Sequence, residues 1–599
     1  VDIVKNWYDK TLGTPFEGTS PPELYHKYVG HDNNRDWYAF TQVETQLTVE
    51  KIHNEWHPQI VHDIHQQGAN GARMFVPPYL QPVEPNVPPQ IIEGYTELGN
   101  FIAKDLRTKG FQGITTDSTY DAWTPARAYS HYHGGVRILS ETASAKLATP
   151  INIKFEDLRG SLGYDAKKES PNFSPVWKGG EWKLRDITNY MTTASFSLLK
   201  HASDNRAKWL TRFYAIGKEA VRPRKDSEIY GYIIPWGNFA FQDVFKRAGV
   251  ELTFTSEGNL IKMEQPYGAF AKALLENQTY PNLKDEKGNP IPPYDVTAHT
   301  LSLLWNVNAE KVLAPYKYTV PKNGIGMSEG DYGACREINK NIALYKSHIP
   351  VMDEGWTRFF LDGKLDSHCI RYSSVGNEII NSKNLQTEAF IKGSTIVQYK
   401  KPVPVKNNYG TIIFPDQSPN QILNGYAKGS MPDEYTGGIG AEGVKNLLKF
   451  VQDGGTLVFL NRASDFAIEQ FNLPVRDVTK DLPRKDFFIP GSILRTEINT
   501  NHPIAKTMPK ESIAWFENSP AFEITMSDDT NVEIIARYPS DANKILLSGW
   551  ALGAEKIAGK AALVSINIGK GKIVLFGFRP QYRGQSLATF PLLFNAIAN

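Results

Sequence analysis

Cysteine is nearly absent from this chain: 599 residues carry two, Cys335 and Cys369. That limits the covalent framework to one disulfide, offers no Cys-x-x-Cys metal spacing, and says little about redox compartment at this size. Long apolar runs are missing too. No stretch of eighteen apolar residues occurs, so no segment reads as a membrane-spanning helix. Charge of one sign is also lacking, with 66 basic against 64 acidic residues and a net charge of +2. Without a basic block, nucleic acid is a poor partner. An initiator methionine is absent: the chain opens Val1-Asp-Ile-Val-Lys-Asn-Trp7, which is not a signal peptide. The expectation is a piece cut from a longer protein. Apolar residues at 41% and charged residues at 22% mark globular material, and the length calls for several cores.

Residues 1–205 are aromatic-rich and broken by proline and glycine. Val49, Ile52 and Trp56 have helical spacing and lead into a short strand from Ile60; Tyr95, Leu98, Ile102 and Leu106 mark a second helix. Val136–Glu141 reads as a strand ending on a carboxylate, and 185–200 as a helix. The charged segment 206–224 reads as leaving this domain for a linker and small α/β region, 206–335. Residues 336–599 alternate strands and helices, the pattern of a parallel, doubly wound sheet. Val444, Leu447, Leu448 and Val451 give one helix, stopped by Gly454-Gly455, and Thr456–Leu460 a buried strand. A β-rich insertion is expected at about 477–563.

The chemistry-bearing residues lie early. Ile60-Val-His-Asp-Ile-His-Gln-Gln-Gly68 ends a strand on His65, where an imidazole can face a cleft while the strand fixes its direction. A lone histidine there is more often hydrogen-bonded in a loop than a metal ligand. His62 has the opposite strand parity and reads as structural; Asp63 shares His65's side and is a candidate to orient it. Arg35 beside Asn34 suits a carboxylate, which guanidinium grips with two parallel hydrogen bonds, or a surface pair with Asp32 or Asp36. Glu141 is either a general base or a solvated strand end. His201-Ala-Ser-Asp204 reads as surface.

Four stretches together, Gly30-His-Asp-Asn-Asn-Arg-Asp-Trp37, His62-Asp-Ile-His-Gln-Gln-Gly68, Thr124-Pro-Ala-Arg-Ala-Tyr129 and Ser140-Glu-Thr-Ala-Ser144, resemble the zinc carboxypeptidases of the M14 family. Met352-Asp-Glu-Gly-Trp-Thr-Arg358 and Gly577-Phe-Arg-Pro-Gln-Tyr582 resemble a bacterial subgroup with a C-terminal glutamine-amidotransferase-like domain. The resemblance implies an α/β fold: the C-terminal half of an M14-type domain, then a flavodoxin-like, class I amidotransferase-like domain. It implies a zinc-dependent metallocarboxypeptidase acting on peptides and exported to the periplasm or exterior. By position it assigns His65 to zinc, Glu141 to general-base catalysis, Asn34 and Arg35 to the substrate carboxylate, and Tyr120 to a substrate-capping loop, with Tyr129 and Tyr132 as nearby competitors.

Two departures stand out. The oxyanion-stabilising arginine of the family belongs near Trp7-Tyr8-Asp9-Lys10, where only Lys10 carries a cation. The His-x-x-Glu pair that supplies the other two zinc ligands is absent: none of the thirteen histidines is followed by glutamate three residues on. The resemblance therefore places that pair ahead of Val1, and zinc binding and activity are not expected of this chain alone. The alternative is a non-catalytic peptide- or glycan-binding protein using the same cleft. Cysteine-dependent amidotransfer is the weakest reading, because Tyr435-Thr-Gly-Gly-Ile-Gly-Ala441, the stretch most like a nucleophile elbow, has no cysteine.

Overall fold

The computed structural model describes residues 1–118, 123, 125, 128–315, 318–319, 341–363, 370, 372–381, 409–525 and 531–599. Tyr120, Arg127, Cys335 and Cys369 lie outside the described residues. The chain is α/β throughout and divides into two compact units. The first comprises 1–21, 34–276 and 308–323; the second comprises 22–33, 277–307 and 324–599.

The first unit is built on strands β1 (Ile60–Gln67), β2 (Met74–Phe75), β3 (Ile114–Thr115) and β4 (Val136–Ala143), in the spatial order β1-β4-β2-β3. β1 and β4 run parallel, as do β2 and β3, while β2 and β4 are antiparallel. β4 is buried at all eight residues. β1, its outer neighbour, is half-exposed, and Ile64 keeps 52% of its surface. Two long helices flank this sheet. In Pro89–Thr108 the buried Ile91, Tyr95, Leu98, Ile102 and Leu106 recur at three- and four-residue intervals, the stripe anticipated from the sequence. Gly99 sits where that helix meets the chain at Pro77: a Cβ there would lie 2.0 Å from the Pro77 carbonyl oxygen. Leu184–Asp204 is the second helix, and it buries Tyr190, Met191, Ala194 and Leu198.

Two readings change here. The segment expected to leave the domain is the helix Arg206–Ala220, whose Trp209 and Ile216 are buried. His201, read as surface, is 4% exposed. It lies on the inner stripe of its helix, where its Nδ1 accepts the Trp209 indole N–H at 3.3 Å and its ring meets Phe101 edge-on. An antiparallel sheet completes this unit, ordered Glu310–Val312, Gly231–Ile234, Asn259–Lys262 and Thr253–Phe254.

In the second unit, Tyr372–Val375, Ile342–Tyr345, Thr411–Phe414, Thr456–Leu460 and Gly571–Phe576 lie side by side, all parallel. The strands expected as a separate β insertion extend this same sheet. Ala561–Ile568 pairs antiparallel with Gly571–Phe576, followed by Val532–Arg537, Pro490–Ile498 and Glu511–Glu517. The central strands are buried at every position because both faces are covered, by one cluster around Leu344, Val458 and Phe576 and another around Ile412, Phe459 and Leu575.

Candidate functional site

Parallel pairing of β1 with β4 sets His65 opposite Glu141, Asp63 opposite Leu139 and Val61 opposite Arg137. Alternation then sorts the polar residues onto two faces. Asp63, His65, Arg137 and Glu141 share one; His62 and Ser140 share the other.

On the first face the groups form a chain. His65 Nε2 lies 2.9 Å from Asp63 Oδ1, and His65 Nδ1 lies 4.0 Å from Glu141 Oε1. Arg137 donates to Asp63 Oδ2 through Nε at 2.9 Å and through Nη2. Burial alone would raise the Asp63 carboxyl, but the Arg137 charge and the His65 hydrogen bond outweigh it and hold Asp63 well below the usual carboxylate range. The Asp63 carboxylate thus takes the Nε2 side of the ring, and Nδ1 lies on the Glu141 side. Glu141 is buried, as is the Arg137 side chain. Glu141 is therefore not a solvated strand end.

On the second face His62 is enclosed by the Leu184–Asp204 helix. Its Nε2 is 2.8 Å from Ser140 Oγ and its Nδ1 is 3.3 Å from Ser195 Oγ. Burial pushes its imidazole down to about 4, so it stays neutral at pH 7. The opposite parity of His62 and His65, legible in the sequence, is what the backbone does.

Asn34 and Arg35 end the 3-10 turn Gly30–Arg35, and Arg35 Nη1 donates to Asn34 Oδ1 at 2.9 Å. Asp36 is enclosed by Thr41, Gln42 and Thr45, accepting from two backbone N–H groups and two hydroxyls. Lys10 lies over the Trp7 ring, 5.4 Å from its centroid. The two tyrosines that compete with Tyr120 as caps are committed elsewhere: Tyr132 donates to Glu84 at 2.9 Å, and Tyr129 is buried against His133 and Phe40.

Structural zinc sites take four protein ligands and catalytic ones three plus water. One imidazole stands between two carboxylates here, Asp63 already held by Arg137, and no group of three His, Cys, Asp or Glu side chains suited to a metal occurs among the described residues. These residues do not fit zinc by themselves.

The second unit carries a polar cluster that the sequence reading missed. Asp416 follows the Thr411–Phe414 strand, Arg462 follows Thr456–Leu460, and Arg579 follows Gly571–Phe576. All three therefore stand at the C-terminal ends of parallel strands, where open α/β sheets hold ligands. Asp416 accepts from Arg462 at 2.7 Å, from Arg579 at 2.9 Å and from Asn461 at 2.9 Å. Arg579 also reaches Asp353 at 3.3 Å and the Glu517 carbonyl. Each guanidinium nitrogen of Arg579 thus has a partner, and the cluster ties strand ends together, with Arg462 half-exposed at its edge. The glycine-rich stretch before the Gly440–Gln452 helix is no elbow. A Cβ on Gly425 would meet the Gly437 carbonyl oxygen at 2.0 Å, so these glycines let two loop segments touch.

No family model matches the chain, and no curated protein matches it. Solved structures similar to part of it include a ThuA-like protein from Bacteroides uniformis, at 13% identity over 44% of this chain and 92% of that one, with a TM-score of 0.25. A GMP synthase component from Thermoplasma acidophilum matches at 11% identity over 43% and 92%, with a TM-score of 0.24. A β-galactosidase from Bacillus circulans matches at 12% identity over 43% and 30%, with a TM-score of 0.25. Similarity at this level carries no functional argument.

Proposed function

We propose that this chain supplies the His65–Glu141 part of a metallocarboxypeptidase site, which hydrolyses C-terminal residues from peptides in the periplasm or outside the cell. The observation that carries the reading is the row Arg137–Asp63–His65 with Glu141 4.0 Å from the imidazole. Asp63 fixes the ring, and Glu141 is a buried carboxylate placed to take a proton from an attacking water and hand it to the leaving amine. Asn34 and Arg35 would grip the terminal carboxylate of the substrate. In this reading His65 is one zinc donor, and the others are not among the residues described above. The amidotransferase-like unit is structural or binding.

The test is zinc-dependent hydrolysis of peptides by the full-length protein. Glu141→Gln is expected to lower kcat by about 10²–10⁴ with peptide binding retained, and His65→Ala to lose zinc. An unchanged rate in Glu141→Gln refutes the proposal. The second reading, a non-catalytic peptide- or glycan-binding protein, rests on the hydrogen bond that already engages His65 Nε2. It is favoured if peptide binding persists and neither protein hydrolyses anything.

A further inference from the structure

A cavity of about 660 Å³ opens in the first unit and shares no lining residue with the His65–Glu141 pair. That volume is within the range for small-molecule sites. Ile216, Ala220, Ile229, Met263, Pro266 and Ala269 make its wall largely apolar.

The wall carries two carboxylates and two cations, and they are paired differently. Glu219 and Glu228 line the cavity, but both are engaged by Arg222: Glu228 takes two of its nitrogens and Glu219 a third. Arg224, also in the wall, has no carboxylate within ion-pair distance among the described residues. Its Nη2 donates to the carbonyls of Ala220 and Met263, and its buried Nε has no hydrogen-bond partner. Lys272 is the second cation. Its ammonium donates to Asn86 Oδ1 at 2.8 Å and lies 3.7 Å from Glu276, whose carboxylate is closer to Lys311, at 2.6 Å.

The polar part of the wall is fixed from behind. Glu84, 3% exposed, accepts from Tyr132 OH at 2.9 Å and from the Asn86 side-chain amide at 2.7 Å. That second bond turns Asn86 Oδ1 towards Lys272. A partly desolvated guanidinium that feels the Glu228, Glu219 and Glu264 charges without touching a carboxylate, and a positioned ammonium, thus face an apolar chamber, and each gains from a negative group brought in on a hydrocarbon body.

We infer that this cavity binds an amphipathic organic anion, a carboxylate carried on an apolar body, with Arg224 and Lys272 holding the charged end. The inference is independent of the peptidase reading.

Octanoate is the probe and octanol its uncharged counterpart, titrated calorimetrically into the whole chain. Octanoate is expected to bind saturably, one per chain. Octanol and the Lys272→Met variant should each bind at least about tenfold more weakly, the factor one charge-assisted hydrogen bond carries. Ala269→Trp, which fills the chamber, is expected to abolish binding; Gln90→Trp, on the rim, serves if the first variant fails to fold by circular dichroism. Absence of saturable octanoate binding overturns the inference. So does octanol binding as tightly as octanoate, or binding that survives a folded, filled variant.

Discussion

Asp63→Ala offers the sharpest probe of the arrangement on β1 and β4. The Arg137 side chain is 3% exposed, and Asp63 is its one anionic partner among the described residues. Removing the carboxylate strands a buried guanidinium, a change that costs about 3–5 kcal/mol when the pair is fully enclosed. Asp63 itself is 31% exposed, so water can reach part of the vacated space. The lower end, about 3 kcal/mol, is therefore expected. For a unit of this size that corresponds to a fall of roughly 6 °C or more in Tm. Arg137→Met is the milder change, at roughly 1–2 kcal/mol, because Asp63 keeps its bond to His65 and its access to water. The double variant leaves no stranded charge, so the two effects should be non-additive by about 2 kcal/mol. Scanning calorimetry of the four proteins measures this directly. A shift below about 1 °C in Asp63→Ala, or strict additivity in the double variant, would show that Asp63 does not neutralise Arg137.

Acid should loosen the first unit before the second. Burial lowers His53, His62 and His133 to about 4 and His131 to about 3, all in the first unit. Their folded values lie below the ordinary one, so as pH falls below about 6.5 the unfolded chain takes up protons that the folded unit refuses. Stability is then lost down to about pH 4, and to about pH 3 for His131, by up to about 2 kcal/mol per histidine at pH 5. Faster amide exchange in the Pro89–Thr108 helix at pH 5 than at pH 7, after correction for intrinsic rates, checks it; equal protection refutes it. Gly99→Ala should destabilise the same unit, since its Cβ would overlap the Pro77 carbonyl at 2.0 Å; urea titration followed by tryptophan fluorescence reads the loss. Arg579→Met should cost the second unit about 3–5 kcal/mol by removing one of the two cations on buried Asp416, again visible by calorimetry.

Much of the scaffold was legible because burial imposes periodicity. The stripe from Tyr95 to Leu106 lies within the Pro89–Thr108 helix, and Thr456–Leu460 is a strand at the bounds read from the sequence. The parity of His62 against His65 was legible for the same reason. What stayed hidden depends on residues far apart in the chain. Nothing near Asp63 announces Arg137, 74 positions on, and nothing near Asp416 announces Arg579. His201 misled because its neighbours are charged: Lys200 and Asp204 pair on the outer side of the helix while His201 faces inward against Trp209. The cavity beside Arg224 is built from four separated stretches and left no local signal.

The parallel register between His65 and Glu141 has one further consequence. Both groups spring from adjacent strands joined by backbone hydrogen bonds, so their spacing is inherited from the ladder, which holds neighbouring strands about 4.8 Å apart. Loops beyond Gln67 and Ala143 can then be lengthened, shortened or rewritten without moving the two groups relative to each other. The surrounding segments are free to diversify in what they admit, while the distance between imidazole and carboxylate stays a property of the sheet.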